Sequence, residues 1–267
     1  MMQCYGKSRV LTPTVVAAAA FALNKNRSLR TQSEEVGALD SWKKLWDTGM
    51  TRWHQRDVYW VLQKYGDDYI HKESRVLVPL CGKTVDLAYL TTKAKEVIGV
   101  EGVLQAVKEF MQENPNLQME AVGSRNGFDC FRGEKIWLLC GNFFHFGPAV
   151  AGKFDVIWDR AAMVAINPSD REEYVQVLGS VLKPGGVLLL SGYVRPKGDV
   201  KSGPPFTLNK DQVLHLFEHQ PWVASVECIE SVNDAFSNEA WYKRLILRWR
   251  FGGVVSEDIW AIHSKAK

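Results

Sequence analysis

From Arg75 onward the chain alternates short apolar runs with amphipathic stretches, and this alternation constrains the fold more than any other feature of the sequence. Residues 97–100 and 187–190 are near-continuous apolar runs, which is typical of strands covered on both faces. Apolar residues of an intervening stretch recur at helical spacing, namely Val103, Leu104, Val107, Phe110 and Met111. Strands that alternate with helices predict an α/β fold with a doubly wound, mostly parallel sheet. Such a sheet binds its ligand at the carboxyl ends of its strands.

The first 37 residues differ from the rest, and we interpret them as an extension of a single domain that comprises residues 38–267. Residues 1–33 contain five basic residues and no acidic one. The apolar stretch 11–23 is too short to span a bilayer, so no stable membrane insertion is expected. Its composition fits a mitochondrial presequence or a weakly helical tail, and a secretory segment less well.

Charge and cysteine content exclude several classes of protein. Without the five basic residues of the extension, the chain has 28 basic and 30 acidic residues, so nucleic acid is not an expected partner. The five cysteines show neither disulfide nor metal-ligand spacing, and the histidines form no ligand pair. These features predict a protein of a reducing compartment, the cytoplasm unless the extension directs it to mitochondria, and no metal site.

The stretch RVLVPLCGKTVDLAYL, residues 75–90, predicts a strand, a tight turn and a helix. Its Gly-Lys-Thr is not an ATP or GTP phosphate loop, because that motif requires a glycine where Leu77 stands. A dinucleotide fingerprint requires three glycines, whereas Gly82 is alone here and Pro79 removes an amide donor. The turn is therefore a poor pyrophosphate site, and a nicotinamide-dependent oxidoreductase is not favoured.

Glu101 stands where nucleotide-binding sheets place the acidic residue that binds the ribose. It ends the next predicted strand, nineteen positions after Gly82, where a carboxylate can accept hydrogen bonds from both ribose hydroxyls. An exposed glutamate at a strand end is the alternative interpretation. A ribose site without a pyrophosphate site indicates an adenosyl ligand that carries no phosphate, and S-adenosylmethionine fits that description.

Two further stretches support this interpretation. Asn142 follows the third predicted strand, where many methyltransferase sheets place a residue that contacts the edge of the adenine, and its amide supplies both a donor and an acceptor. The sequence LKPGGVLLL, residues 182–190, predicts the end of a helix followed by a buried strand, an arrangement found in many methyltransferases.

In five stretches the sequence resembles the thiopurine S-methyltransferase family, from about Trp42 to the C-terminus. They are WKKLWDTGMTRWHQ (42–55), VPLCGK (78–83), GVE (99–101), GKFDVIWDRAAMVAINP (152–168) and GPPF (203–206). The resemblance implies the seven-stranded class I methyltransferase sheet with an N-terminal helical lid. It implies a monomer that transfers a methyl group from S-adenosylmethionine to small aromatic or heterocyclic thiols and releases S-adenosylhomocysteine.

The resemblance also implies roles for individual residues. The implied cofactor-binding residues are Trp42, Trp46, Leu80, Gly82, Glu101, Asn142, Phe143 and Arg160. The implied substrate-binding residues are Trp53, Pro204 and Phe206. The implied catalytic residues are Arg160, Asp159 as the residue that orients it, and a second arginine near the C-terminus, assigned to Arg248 with Arg250 as the alternative.

Two departures from the family bear on the substrate. The family usually has phenylalanine where Trp53 stands, and residues 240–249, AWYKRLILRW, differ from its pattern. A non-catalytic or substrate-shifted adenosyl-binding paralogue is therefore the alternative to an active thiol methyltransferase.

Overall fold

The computed structural model of the protein describes residues 32–51, 53–196, 203–237 and 239–266. Most of the predicted N-terminal extension, residues 1–31, lies outside the described residues. The first helix, α1, begins at Gln32 and runs to Asp47. It therefore crosses the predicted boundary between residues 37 and 38.

The described strands form one sheet in the order β3-β4-β5-β2-β1-β6-β7-β9-β8. They are β1 Arg75–Pro79, β2 Glu96–Glu101, β3 Glu120–Arg125, β4 Phe128–Arg132, β5 Ile136–Cys140, β6 Phe154–Arg160, β7 Leu182–Val194, β8 Val223–Val232 and β9 Ser256–Ser264. Strands β5, β2, β1, β6 and β7 are parallel, and the remaining pairings are antiparallel. The predicted α/β fold with a mostly parallel centre is confirmed.

The predicted number of seven strands is wrong, because the sheet has nine among the described residues. The two additional strands, β3 and β4, form an antiparallel hairpin at one edge. Asn126 and Gly127 between them have φ angles of 50° and 83°, as a tight hairpin turn requires. Without this hairpin, the remaining seven strands form a continuous sheet.

The described helices cover both faces of the sheet. They are α1, α2 Trp60–Tyr69, α3 Asp86–Lys93, α4 Leu104–Glu113, α5 Pro148–Ala151, α6 Arg171–Val181, α7 Lys210–Phe217 and α8 Trp241–Phe251. In α4 the buried side chains include Val107 and Phe110, in agreement with the predicted helical spacing. Within the described parts of the chain, no helix combines the length and the apolar composition needed to cross a membrane.

Alternate residues of the central strands enter two separate apolar cores, one on each face of the sheet. In β6, for example, Ile157 packs in one core and Trp158 in the other. Because β1, β2 and β6 are parallel neighbours, their carboxyl ends meet at the same edge of the sheet. The residues that end or follow these strands, among them Glu101 and Arg160, are thereby brought together.

Candidate active site

A cavity of about 570 Å³ opens at the carboxyl ends of the parallel strands. Each strand contributes residues to its lining: Leu80 and Gly82 follow β1, Glu101 ends β2, Asn142 follows β5 and Arg160 ends β6. This is the edge at which the alternating pattern predicted a ligand site.

The turn after β1 has a backbone conformation that restricts which residues it can contain. Leu80 and Gly82 have φ angles of 44° and 53°, a left-handed region that glycine adopts at little cost and other residues do not. A Cβ atom at position 82 would lie 3.2 Å from the Trp46 ring. Glycine thus allows the indole to pack directly on the backbone of the turn.

Lys83, the next residue of the turn, forms ion pairs with α4. Its Nζ lies 2.9 Å from Glu109 and 2.5 Å from Glu113. Burial alone would lower the pKa of Lys83, but the hydrogen bonds that it donates to these carboxylates outweigh burial and raise the pKa. The lysine of the Gly-Lys-Thr sequence therefore joins the turn to a helix, which agrees with the rejection of a phosphate loop.

Glu101 connects the ends of two strands through its carboxylate. One oxygen accepts a hydrogen bond from the Gly82 amide at 2.8 Å, and the other accepts one from the Val103 amide at 2.8 Å. Burial raises the pKa of Glu101, although these amides oppose the shift. Each carboxylate oxygen has two lone pairs, so these bonds leave acceptor capacity for hydroxyl groups in the cavity.

Three tryptophans form an aromatic cluster on the cavity wall. The ring centroid of Trp53 lies 5.1 Å from that of Trp42 and 5.8 Å from that of Trp46, and both pairs meet edge to face. All three side chains line the cavity, and Trp46 is buried. Helix α1 and the segment after it therefore provide an aromatic surface over the turn that follows β1.

Asn142 and Phe143 line the cavity beyond the end of β5. The Asn142 side-chain oxygen accepts a hydrogen bond from the Phe144 amide at 3.0 Å and caps a short 3₁₀ helix. Phe143 is buried and stacks on Phe146, with ring centroids 5.7 Å apart. These contacts fix the orientation of both residues toward the cavity.

Arg160 places a cation in the cavity next to two tyrosines. Its guanidinium carbon lies 4.7 Å from the centroid of the Tyr59 ring. Burial alone would lower the pKa of Arg160, but Tyr193, Tyr59 and the carboxylates of Asp86 and Glu257 outweigh it and raise the pKa. The guanidinium therefore stays charged, and its Nε has no hydrogen-bond partner among the described residues.

Glu257 is a buried carboxylate behind Arg160 that the sequence interpretation missed. It accepts hydrogen bonds from the hydroxyls of Tyr59 and Ser191, and its side chain is fully buried. Tyr59 and Glu257 are 198 residues apart in the chain. No local sequence pattern could have indicated this pairing, which supplies negative charge near the guanidinium.

His54 lines the cavity and was also not singled out by the sequence interpretation. Burial and the positive charges of Lys83 and Arg160 lower its pKa, against the opposing effect of Glu113 and Glu109. The surroundings therefore favour the neutral imidazole and make it a weaker base than an exposed histidine. The only sequence signal was its position directly after the tryptophan-rich stretch.

The predicted role of Asp159 in orienting Arg160 is not supported. Its two carboxylate oxygens accept hydrogen bonds from the Met163 amide at 2.9 Å and from the Tyr174 hydroxyl at 2.7 Å. Consecutive side chains of a strand point to opposite faces of the sheet, so Asp159 and Arg160 diverge. Asp159 instead fixes the segment after β6 to α6.

Asp159 is expected to make stability depend on pH. Burial raises its pKa to about 6, although hydrogen bonds from Met163 and Tyr174 oppose the shift. The unfolded value is about 4, so between these values the folded state holds a proton that the unfolded state releases. The stabilising contribution should be fully present below about pH 4 and lost as the pH rises through about 6.

Urea unfolding of the protein and of Asp159→Asn over this pH range tests the expectation. The difference between the two free energies of unfolding should change with pH and become constant above about pH 6. Asp155→Asn is the matched control. Burial alone would raise the pKa of Asp155, but hydrogen bonds from the Arg75 amide and Lys183 lower it, so the difference for Asp155→Asn should change only below about pH 4. A constant difference for Asp159→Asn would contradict the raised pKa.

For the second arginine near the C-terminus, the structure favours Arg250, the alternative, over Arg248. Arg248 donates to an Asp234 carboxylate oxygen at 2.9 Å and is not among the described residues that line the cavity. Arg250 does line it. Residues two apart on a helix differ in direction by about 200°, so both cannot have the same environment.

Of the predicted substrate-binding residues Pro204 and Phe206, only the first lines the cavity among the described residues. The Phe206 amide donates to the Val164 carbonyl at 2.7 Å, and its ring packs against Gly203. Phe206 thus supports the wall that Pro204 forms.

Comparison with known proteins gives a match over most of the chain. A sequence profile of the family described as Thiopurine S-methyltransferase (TPMT) matches residues 37–249. The thiopurine S-methyltransferase of Bos taurus is 35% identical over 207 residues, which cover 76% of this chain and 83% of that protein. The enzyme of Xanthomonas campestris is 36% identical over 191 residues, which cover 70% and 85%.

Solved structures share the fold at low sequence identity. The N-methyltransferase NodS from Bradyrhizobium japonicum, solved in complex with S-adenosyl-L-homocysteine, has a TM-score of 0.51 at 10% identity and covers 78% of this chain and 84% of its own. The [4+2]-cyclase SpnF has a TM-score of 0.56 at 12% identity, with 79% and 85% covered. Because these neighbours include a cyclase, they indicate the fold alone.

Proposed function

Because this chain belongs to the thiopurine S-methyltransferase family and is an S-adenosylmethionine-dependent methyltransferase, we propose that its acceptors are small aromatic or heterocyclic thiols. The products would be a methyl thioether and S-adenosylhomocysteine. The role would lie in xenobiotic or small-thiol metabolism.

The residues of the cavity fit S-adenosylmethionine. Bound there, it supplies an electrophilic methyl group on a positively charged sulfur. The acceptor capacity of Glu101 suits the ribose hydroxyls, and Asn142 with Phe143 suits the adenine. Trp42 and Trp46 offer aromatic faces, which attract a sulfonium cation. The cavity, about 570 Å³, is within the usual size of small-molecule sites.

The observation that carries the proposal is a charged guanidinium, that of Arg160, in a cavity lined largely by aromatic and apolar side chains. A cation near a thiol favours its ionised form, and the thiolate is the nucleophile. Trp53 and Pro204 would hold a flat acceptor ring next to that cation. Holding the two reactants in line removes much of the entropic cost of the bimolecular reaction.

A second arginine would complete the acceptor site, and we assign it to Arg250 in place of Arg248. Arg250 directly follows the segment that departs from the family pattern, residues 240–249, so this side of the cavity would determine which thiols are accepted.

Methyl-transfer assays test the proposed acceptor class directly. Thiophenol and a mercaptopurine should be methylated, whereas an amine of similar size, such as aniline, should not. Binding of S-adenosylhomocysteine without turnover of any thiol would instead favour the non-catalytic or substrate-shifted paralogue. Preferential methylation of the amine would overturn the proposal.

Glu101→Gln is expected to weaken S-adenosylmethionine binding by about 2 kcal/mol, because the charge-assisted bonds to the ribose hydroxyls are lost. Calorimetry measures the affinity, and thermal unfolding checks that the turn around Gly82 is retained. Glu96→Gln, at the opposite end of β2 and paired with Arg75, should bind as the unaltered protein does. Unchanged affinity in a folded Glu101→Gln would refute the ribose assignment.

The proposed setting is a monomer of residues 38–267 in the cytoplasm. If residues 1–37 act as a presequence, the enzyme would instead reside in mitochondria. Imaging fluorescent fusions with and without this segment distinguishes the two compartments, and sedimentation equilibrium measures the oligomeric state.

A further inference from the structure

Helix α8 has an unusual distribution of large apolar side chains. Trp241, Tyr242, Leu245, Ile246 and Trp249 are each 51–88% exposed. At about 100° per residue they occupy one continuous arc of roughly 140° around the helix axis. A helix of a globular protein normally turns such a stripe toward the core, whereas here it faces outward.

The opposite face of α8 is already packed on the protein. Phe251 is buried, and Leu247 packs against the core. Leu247, Arg250 and Phe251 also line the cavity. The exposed arc is therefore not needed for packing α8 on the protein, because the helix has a second apolar side that is buried.

Basic side chains flank the exposed arc on both sides. On the helical wheel Lys243 and Arg250 lie next to one edge, and Arg244 and Arg248 lie next to the other. The helix sequence WYKRLILRWRF contains no acidic residue. Asp234 pairs with both Arg244 and Arg248, and Glu239 pairs with Lys243. Even without Arg250, which lines the cavity, three cations face two carboxylates and an excess of one positive charge remains.

We propose that α8 binds the surface of an anionic phospholipid bilayer, lying in the plane of the interface with its apolar arc among the acyl chains. Tryptophan and tyrosine are enriched at that depth of a membrane. Basic residues beside an apolar stripe are typical of helices that lie on membranes without spanning them. This proposal does not depend on the identity of the methyl acceptor.

The same observations argue against a second copy of the chain as the partner. A symmetric dimer would place the same patch on both sides of the contact and so bring the excess positive charge of the two copies together.

Membrane binding would have a consequence for the cavity. Because α8 contributes lining residues on its inner side, its attachment would hold that wall of the cavity at the membrane surface. Apolar acceptors that partition into lipid would then be concentrated next to the site.

Flotation with unilamellar vesicles tests the proposal. We expect the full chain to float with phosphatidylcholine vesicles that contain phosphatidylserine, and much less with phosphatidylcholine alone or in high salt. Trp249→Ser should lower the partition coefficient at least about tenfold. Lys243→Gln should lower it about fivefold on phosphatidylserine vesicles only.

Val122→Ser is the matched control, because Val122 is an apolar residue with 45% exposure elsewhere on the surface. It should float as the unaltered chain does. Trp249→Ser should retain methyl-transfer activity without vesicles, which shows that it is folded. Equal flotation of Trp249→Ser and the unaltered chain, or no flotation with either vesicle, would overturn the proposal, as would a dimer that Trp249→Ser dissociates.

Discussion

Replacing Arg160 with methionine is expected to lower kcat/KM for a thiol about 100-fold or more, because one electrostatic contact to the reacting group is removed. Methionine keeps most of the length and apolar character of the side chain, so the ring of Tyr59 remains covered. The loss should be larger for an aliphatic thiol than for an acidic aromatic thiol, which is already ionised at neutral pH.

Raising the pH should partly restore the activity of Arg160→Met, because hydroxide then generates the thiolate without help from the guanidinium. The pair Arg250→Met and Arg248→Met provides an internal comparison. The first should lose activity, because Arg250 lines the cavity. The second should change little, because Arg248 makes a partly exposed ion pair with Asp234 and such pairs contribute little. Full activity of Arg160→Met with both thiol classes would show that the arginine is structural.

Deleting residues 1–53 is expected to weaken S-adenosylmethionine binding at least about 100-fold, because the two aromatic faces proposed to contact the sulfonium, those of Trp42 and Trp46, are lost. A desolvated cation–π contact contributes about 2 kcal/mol or more. A chain that begins at Gln32 keeps all of α1 and should bind as the full chain does. Calorimetry measures both affinities.

A single substitution tests the same contact in case the shortened chain does not fold. Trp46→Leu keeps an apolar side chain over Gly82 but removes the indole, and it should weaken binding while the protein remains folded. If the chain that begins at Gln32 also lost binding, residues 1–31 would belong to the site.

The parallel centre of the sheet could be predicted from sequence because its strands are buried on both faces and therefore appear as apolar runs. The edge strand β3 could not be predicted from apolar alternation, because every residue of it is exposed. Asn126-Gly127 is a strong hairpin signal and would have indicated both additional strands.

The site was predictable to the extent that it consists of strand ends. Glu101 and Arg160 follow directly from the order of the parallel strands, whereas Glu257 comes from an antiparallel strand far along the chain. The choice between Arg248 and Arg250 depends on which face of α8 is buried, and this helix has apolar residues all around. The position of Asp159 could have been predicted from the sequence. Consecutive side chains of a strand point to opposite faces of the sheet, so Asp159 must point away from Arg160.

The cluster of three tryptophans has a spectroscopic consequence. The indole of Trp53 is nearly perpendicular to those of Trp42 and Trp46, and its ring centroid lies 5.1 Å and 5.8 Å from theirs. Aromatic side chains give near-ultraviolet circular dichroism only when their packing is fixed, and strongly coupled chromophores give an intense, characteristic band. The difference spectrum between the full chain and Trp53→Leu therefore isolates the signal of this cluster. Any change in the packing of the aromatic wall can therefore be followed by this band without a label.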